Sequence, residues 1–120
     1  MSRINFESFQ SDIPALSKVW HELALWVSEH PDITFLDPRR LSIELSTVAP
    51  FDLARALMAM QERGAVRRTY MVRDPEGRLL AEEYDDYDKI PPALPDRLAH
   101  FFEVEPSNVV PVYQMEKASN

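Results

Sequence analysis

At 120 residues, 45% hydrophobic and 28% charged, the chain has enough apolar surface for a single core, and no apolar run approaches the ~18–20 residues of a membrane span. Zero cysteines exclude disulfides, thiolate metal sites and a cysteine nucleophile, and ten prolines beside two glycines exclude flexible linkers and a glycine-rich phosphate loop. The formal charge of −7 repels a phosphate backbone from a distance, although a local basic face still binds one at close range.

The charge is uneven: −2 over residues 1–30, +1 over 31–80 and −6 over 81–120. The opening Met1-Ser2-Arg3-Ile4-Asn5-Phe6-Glu7 has neither the basic start nor the apolar stretch of a secretory signal, so a soluble cytoplasmic protein is expected.

Residues 1–12 read as a loosely attached lead-in, with Ile4, Phe6 and Phe9 available for packing. A first helix follows, capped by Ser11 or Asp12, with Pro14 in its first turn and Ile13, Leu16, Val19, Trp20, Leu23 and Val27 on one stripe. His30-Pro31 ends it, and Leu25 lies on its polar side, which points to a contact outside the core. Asp37-Pro38 is an N-cap followed by proline, opening a short helix to about Leu45, with Leu41, Ile43 and Leu45 for the interior. After the turn 46–49, Pro50 and Asp52 open a third helix to about Arg63, with Leu53, Ala56, Leu57 and Met60 as core face and Gly64 as left-handed terminator.

Past Gly64 the period changes from 3.6 to 2. Val66, Arg68, Tyr70 and Val72 alternate with Arg67, Thr69, Met71 and Arg73, so a strand is expected. Asp74-Pro75-Glu76-Gly77 is a turn, and residues 78–84 form the returning strand of a hairpin. Ile90 to Pro95, with three prolines, is an extended crossing; Asp96 caps a short helix through Phe102; residues 105–108 turn again; and Val109 to Tyr113 form a last strand, placed at a sheet edge because Pro111 removes a donor.

A helix, two helices joined by a tight turn, and a hairpin entered through a glycine make up an order that resembles the winged helix. The resemblance is carried by Leu53 through Gly77, which is similar to the recognition helix and wing of bacterial winged-helix regulators. The resemblance covers about residues 13–84 and implies an α+β winged-helix core there; the chain as a whole reads as one domain, 1–120, in which 85–120 is a C-terminal extension of a short helix and an edge strand outside that pattern.

In such regulators the third helix enters the major groove and the wing reaches the flanking backbone. Here the exposed arc of that helix carries Asp52, Arg55, Ala59, Glu62 and Arg63, flanked by Phe51 and Met58, which is a poor surface for reading base edges. Arg39, Arg40, Arg55, Arg67, Arg68, Arg73 and Arg78 are the candidate phosphate contacts, unless they pair with neighbouring acids on a solvated surface.

Two functions therefore stand. The first is a non-catalytic winged-helix adaptor or regulatory subunit of a bacterial-type complex, acting through protein contacts or self-association at Leu25, Phe51 and Met58 and at the edge strand with Val110, Val112 and Tyr113. The alternative is a DNA-binding winged-helix regulator using the arginines.

No catalytic residue, metal ligand or cofactor is assigned. The spacings of His21, His30 and His100 match no metal motif, and the serines lack a nucleophile elbow. The Glu82 to Asp88 acidic run lacks the glycine and alternation of a calcium loop. His30-Pro31-Asp32 spells the tripeptide of J-domain co-chaperones, but without the basic helix before it or the long helix after it.

Overall fold

The computed structural model describes residues 4–115, so the first three residues of the expected lead-in lie outside it. Among the described residues the fold is mixed α+β, with four α-helices, three 3₁₀ turns, a four-stranded sheet and a separate two-stranded sheet. The chain divides into two units, one reaching to Arg67 and resuming at Tyr113, the other Arg68–Val112.

The first unit opens with a helix where a loose lead-in was expected: α1, Phe6–Asp12. The Asn5 side chain accepts from the Ser8 amide at 3.1 Å, an N-cap, and the i, i+3 pair Phe6 and Phe9 is buried. The Phe9 ring lies 4.8 Å from that of Trp20, and burial of each such side chain stabilises the fold by roughly 1.5–3 kcal/mol.

The expected first helix comes in two pieces, a 3₁₀ turn at Pro14–Leu16 and α2, Ser17–Glu29, so neither Ser11 nor Asp12 caps it. Leu16, Val19, Trp20 and Leu23 are buried as the stripe required, and Trp26 joins them. The helix stops at His30, whose amide donates to the Val27 carbonyl.

Two features of the next segment differ from expectation. A two-residue strand, β1 (Phe35–Leu36), precedes α3 (Pro38–Glu44). Asp37 caps α3 as expected, accepting from the Arg39 amide at 3.0 Å, and Leu41 and Leu45 are buried. Ile43, by contrast, is 76% exposed. At ~100° per residue it lies about 200° around the helix from Leu41 and cannot share its face.

The helix α4, Pro50–Glu62, matches the sequence reading closely. Leu53, Ala56, Leu57 and Met60 are all buried, and Gly64 follows at φ +74°. These side chains join the core built by α1, α2, α3, Leu36, Val66, Tyr113 and Met115.

The second unit contains the expected hairpin. Strand β2, Val66–Arg73, enters it, and β3, Leu79–Tyr84, returns antiparallel with Tyr70 opposite Tyr84 and Met71 opposite Glu83. Burial along β2 does not alternate strictly, because Thr69 is buried with Met71 and Val72. The turn is held by Asp74, whose buried carboxylate accepts from the amides of Glu76 at 3.0 Å and Arg78 at 2.8 Å, with Gly77 at φ +88°.

The extension departs from expectation twice. Residues 96–102 are not helical. The Asp96 carboxylate accepts from the Leu98 and His100 amides, both at 2.9 Å, and Ala99 at φ +63° closes a loop between β4 (Ala93–Pro95) and β5 (Phe101–Glu103). The Asp96 acceptor serves a tight hairpin turn, and a seven-residue helix has too few internal bonds to compete with the pairing of β4 and β5.

The last strand, β6 (Val109–Met115), is no edge: the sheet order is β1-β6-β2-β3. Pro111 is tolerated because β1 pairs only with Tyr113 and Gln114, so the missing donor at 111 breaks no bond to β1. No helix among the described residues is long and apolar enough to cross a membrane.

Candidate functional site

The site is built on α4, whose buried face fixes its rotation. With Leu53, Ala56, Leu57 and Met60 inward, ~100° per residue brings Phe51, Arg55, Met58 and Glu62 into one outer arc with Ala54 beside it. Phe51 is 73% exposed and Met58 55%. The Arg55 guanidinium lies 5.9 Å from the centroid of the Phe51 ring, a cation–π contact along the same stripe.

Phe51 and Met58 are thus large apolar side chains held in water on a helix whose other face is locked into the core. Leu25 on α2 is likewise exposed, as the sequence indicated. Val110, Val112 and Tyr113 are not: all three are buried, and they are withdrawn as contact residues.

The candidate phosphate-binding arginines are dispersed among intramolecular contacts. Arg40 bonds Glu44 through Nε, and its guanidinium stands 5.2 Å from the Trp26 ring. Arg55 rests on Phe51 and Arg68 on Tyr70, 5.6 Å from the ring centroid. Arg73 donates to the Gly77 carbonyl at 3.1 Å. Arg39, Arg67 and Arg78 have exposed side chains, Arg67 with an interaction of its own. Phosphate binding by Arg40, Arg55 or Arg68 therefore trades an existing contact for the new one.

Around Arg40 the first unit holds a cluster that sequence spacing does not reveal. The Trp26 indole Nε1–H donates to Glu44 Oε1 at 3.0 Å, and the His30 ring stacks on Trp26 at 4.0 Å. His30 Nδ1 lies 2.7 Å from the Trp26 carbonyl, while its Nε2 is 4.0 Å from Glu44 Oε1. Hydrogen bonds from Arg40, and then from Trp26, hold the Glu44 carboxyl below its usual range. This cluster ties the end of α2 to α3, a structural role. Arg63 does the same for α1 and α4, bonding Asp12 at 2.7 Å with its guanidinium 5.0 Å from the Phe9 ring.

In the second unit Tyr87 meets Tyr70 edge-on at 6.0 Å, and burial, followed by the nearby Glu82 charge, raises the Tyr84 phenol above its ordinary range. Leu98 and Phe101, at the tip of the β4–β5 hairpin, are both largely exposed. Sequence reasoning missed these two because it made the segment a helix. It also missed Ile43, although the helical period carried that signal.

Among the described residues, no group of three or more His, Asp or Glu is placed to hold a metal ion. A shallow groove of about 270 Å³ lies beside the start of α4, with Lys18, Thr47 and Asp52 on an otherwise apolar lining. It contains no histidine and no nucleophile paired with a base. Compared with family models, curated proteins and solved structures, the chain matches none.

Proposed function

We propose that the chain is a non-catalytic winged-helix protein that works through protein contacts, as an adaptor or regulatory subunit of a bacterial-type complex. The observation that carries this reading is the outer face of α4, where Phe51 and Met58 stand exposed on a helix anchored by four buried side chains. Support for the winged-helix part comes from the order of α2, α3 and α4 followed through Gly64 by the β2–β3 hairpin. The acidic balance of −7 suits a protein partner better than a polyanion.

The test is capture by the full chain, wild type against Phe51→Ser/Met58→Ser. Both positions are exposed, so the variant is expected to fold normally and lose the partner. Unchanged capture would refute the assignment of this face.

The second reading, a DNA-binding regulator, is favoured by the exposed Arg39, Arg40 and Arg55 on α3 and α4 of the first unit. Titration of a mixed-sequence duplex at ~50 and ~200 mM salt tests it, since phosphate contacts weaken steeply with salt. Binding lost in Arg39→Ala/Arg40→Ala would favour it, and absence of binding at the lower salt would sink it.

A further inference from the structure

Taking the outer face of α4 as a protein-contact surface, the geometry points to a second copy of this chain as its occupant, packed antiparallel with the two-fold axis beside Met58. The stripe Phe51, Arg55, Met58, Glu62 is self-complementary about that point. At ~1.5 Å rise per residue, Arg55 lies about 5 Å to one side of an axis set between positions 58 and 59, and Glu62 about 5 Å to the other. An antiparallel copy therefore sets Arg55 level with the partner's Glu62 and Glu62 level with the partner's Arg55, two reciprocal ion pairs flanking a Met58–Met58 contact.

Pairing draws the Arg55 guanidinium from its contact with the Phe51 ring but breaks no ion pair. Neither Arg55 nor Glu62 has an ion-pair partner among the described residues, and they are too far apart along the helix, at i, i+7, to pair with each other. Phe51 lies about 11 Å from the axis, so it reaches past the end of the opposite helix at the partner's Glu62, which lies about 5 Å from the axis. Registers that place Phe51 directly over the partner's Met58 bring the two Arg55 side chains together and are disfavoured by like-charge repulsion. A single helix face is a small interface, so the association is weak and concentration-dependent, at the low end of specific contacts. Formed in this way, the pair covers the surface that α4 would present to a DNA groove.

Charge swapping tests the pairing. Sedimentation equilibrium of the full chain up to about 1 mM is expected to show the mass rising from 13.9 kDa toward twice that value. Arg55→Glu and Glu62→Arg, each placing like charges opposite one another at both symmetric positions, are expected to weaken association roughly tenfold or more. The double variant Arg55→Glu/Glu62→Arg is expected to restore it, which a heterologous partner or a merely structural role does not explain. Met58→Cys, in a chain with no native cysteine, is expected to give a covalent dimer on mild oxidation. Unchanged circular dichroism and melting temperature verify that each variant is folded.

A monomer at 1 mM, or a dimer indifferent to the single reversals or not restored by the swap, overturns the pairing. If the chain is monomeric yet Phe51→Ser/Met58→Ser still loses a heterologous protein, the self-pairing fails while the protein-contact reading survives. If that variant loses nothing, both fail.

Discussion

Leu57 and Met58 are neighbours in sequence, ~100° apart on α4, with Leu57 turned to the core and Met58 to solvent, and truncating each to alanine separates the two faces energetically. Leu57 is 1% exposed within the core of the first unit. Leu57→Ala removes three carbons, worth ~0.8 kcal/mol each, and leaves a cavity that adds to the loss, for ~2.5–4 kcal/mol in all. For a chain of 120 residues the unfolding entropy is ~0.25 kcal/mol per degree, so the melting temperature falls by ~10–16 °C. Met58 has little to lose, and alanine is the better helix former, so Met58→Ala costs within ~0.5 kcal/mol, or about 2 °C. Urea unfolding at low micromolar protein, followed by the fluorescence of the buried Trp20 and Trp26, measures both variants in one transition. Equal costs would mean that α4 is rotated from the placement described, and the outer stripe would lose its basis.

Other positions give independent checks. Because hydrogen bonds hold the folded Glu44 carboxyl below its ordinary value of 4.5, its contribution is present above that value and fades as pH falls through the folded one. Glu44→Gln should therefore flatten the loss of urea stability below about pH 4.5 relative to wild type, and an identical acid limb would refute the linkage. Asp74→Ala leaves the amides of Glu76 and Arg78 without their carboxylate acceptor and should cost ~2–3 kcal/mol, with faster amide exchange in the β2–β3 turn. Gly64→Ala meets no steric obstacle but must adopt φ +74°, so strain alone should cost ~1–2 kcal/mol in urea unfolding. A neutral substitution there would show that the turn relaxes.

Much of the helical region is legible because local rules and burial agree there. Asp37-Pro38 caps α3, Pro50 opens α4, Gly64 closes it, and the 3.6-residue period picks out Leu53, Ala56, Leu57 and Met60 before any contact is known. The outer stripe of α4 is legible only in part: Arg55 and Glu62 lie on the arc read from the sequence, but Phe51 and Met58, placed at its flanks, are on the stripe, and Asp52 and Ala59 are half-buried. Asp74-Pro75-Glu76-Gly77 specifies its turn by side-chain chemistry alone.

The elements that escape the sequence depend on partners distant along the chain. Two-residue β1 has no period to detect and is a strand only because Tyr113 and Gln114 pair with it. The same pairing takes β6 out of the edge position that Pro111 suggested, and Val110, Val112 and Tyr113 are buried. Asp96 offers the same carboxylate acceptor to a helix or a hairpin loop, and the pairing of Ala93–Pro95 with Phe101–Glu103 selects the loop. The Trp26, His30, Arg40 and Glu44 cluster likewise exists only once α2 and α3 are packed together. Caps, turns and helical faces are set by interactions within a few residues and are written in the sequence. Strand order, and the exposure that depends on it, belongs to the tertiary structure, because a β-ladder satisfies its hydrogen bonds with residues that local sequence does not name.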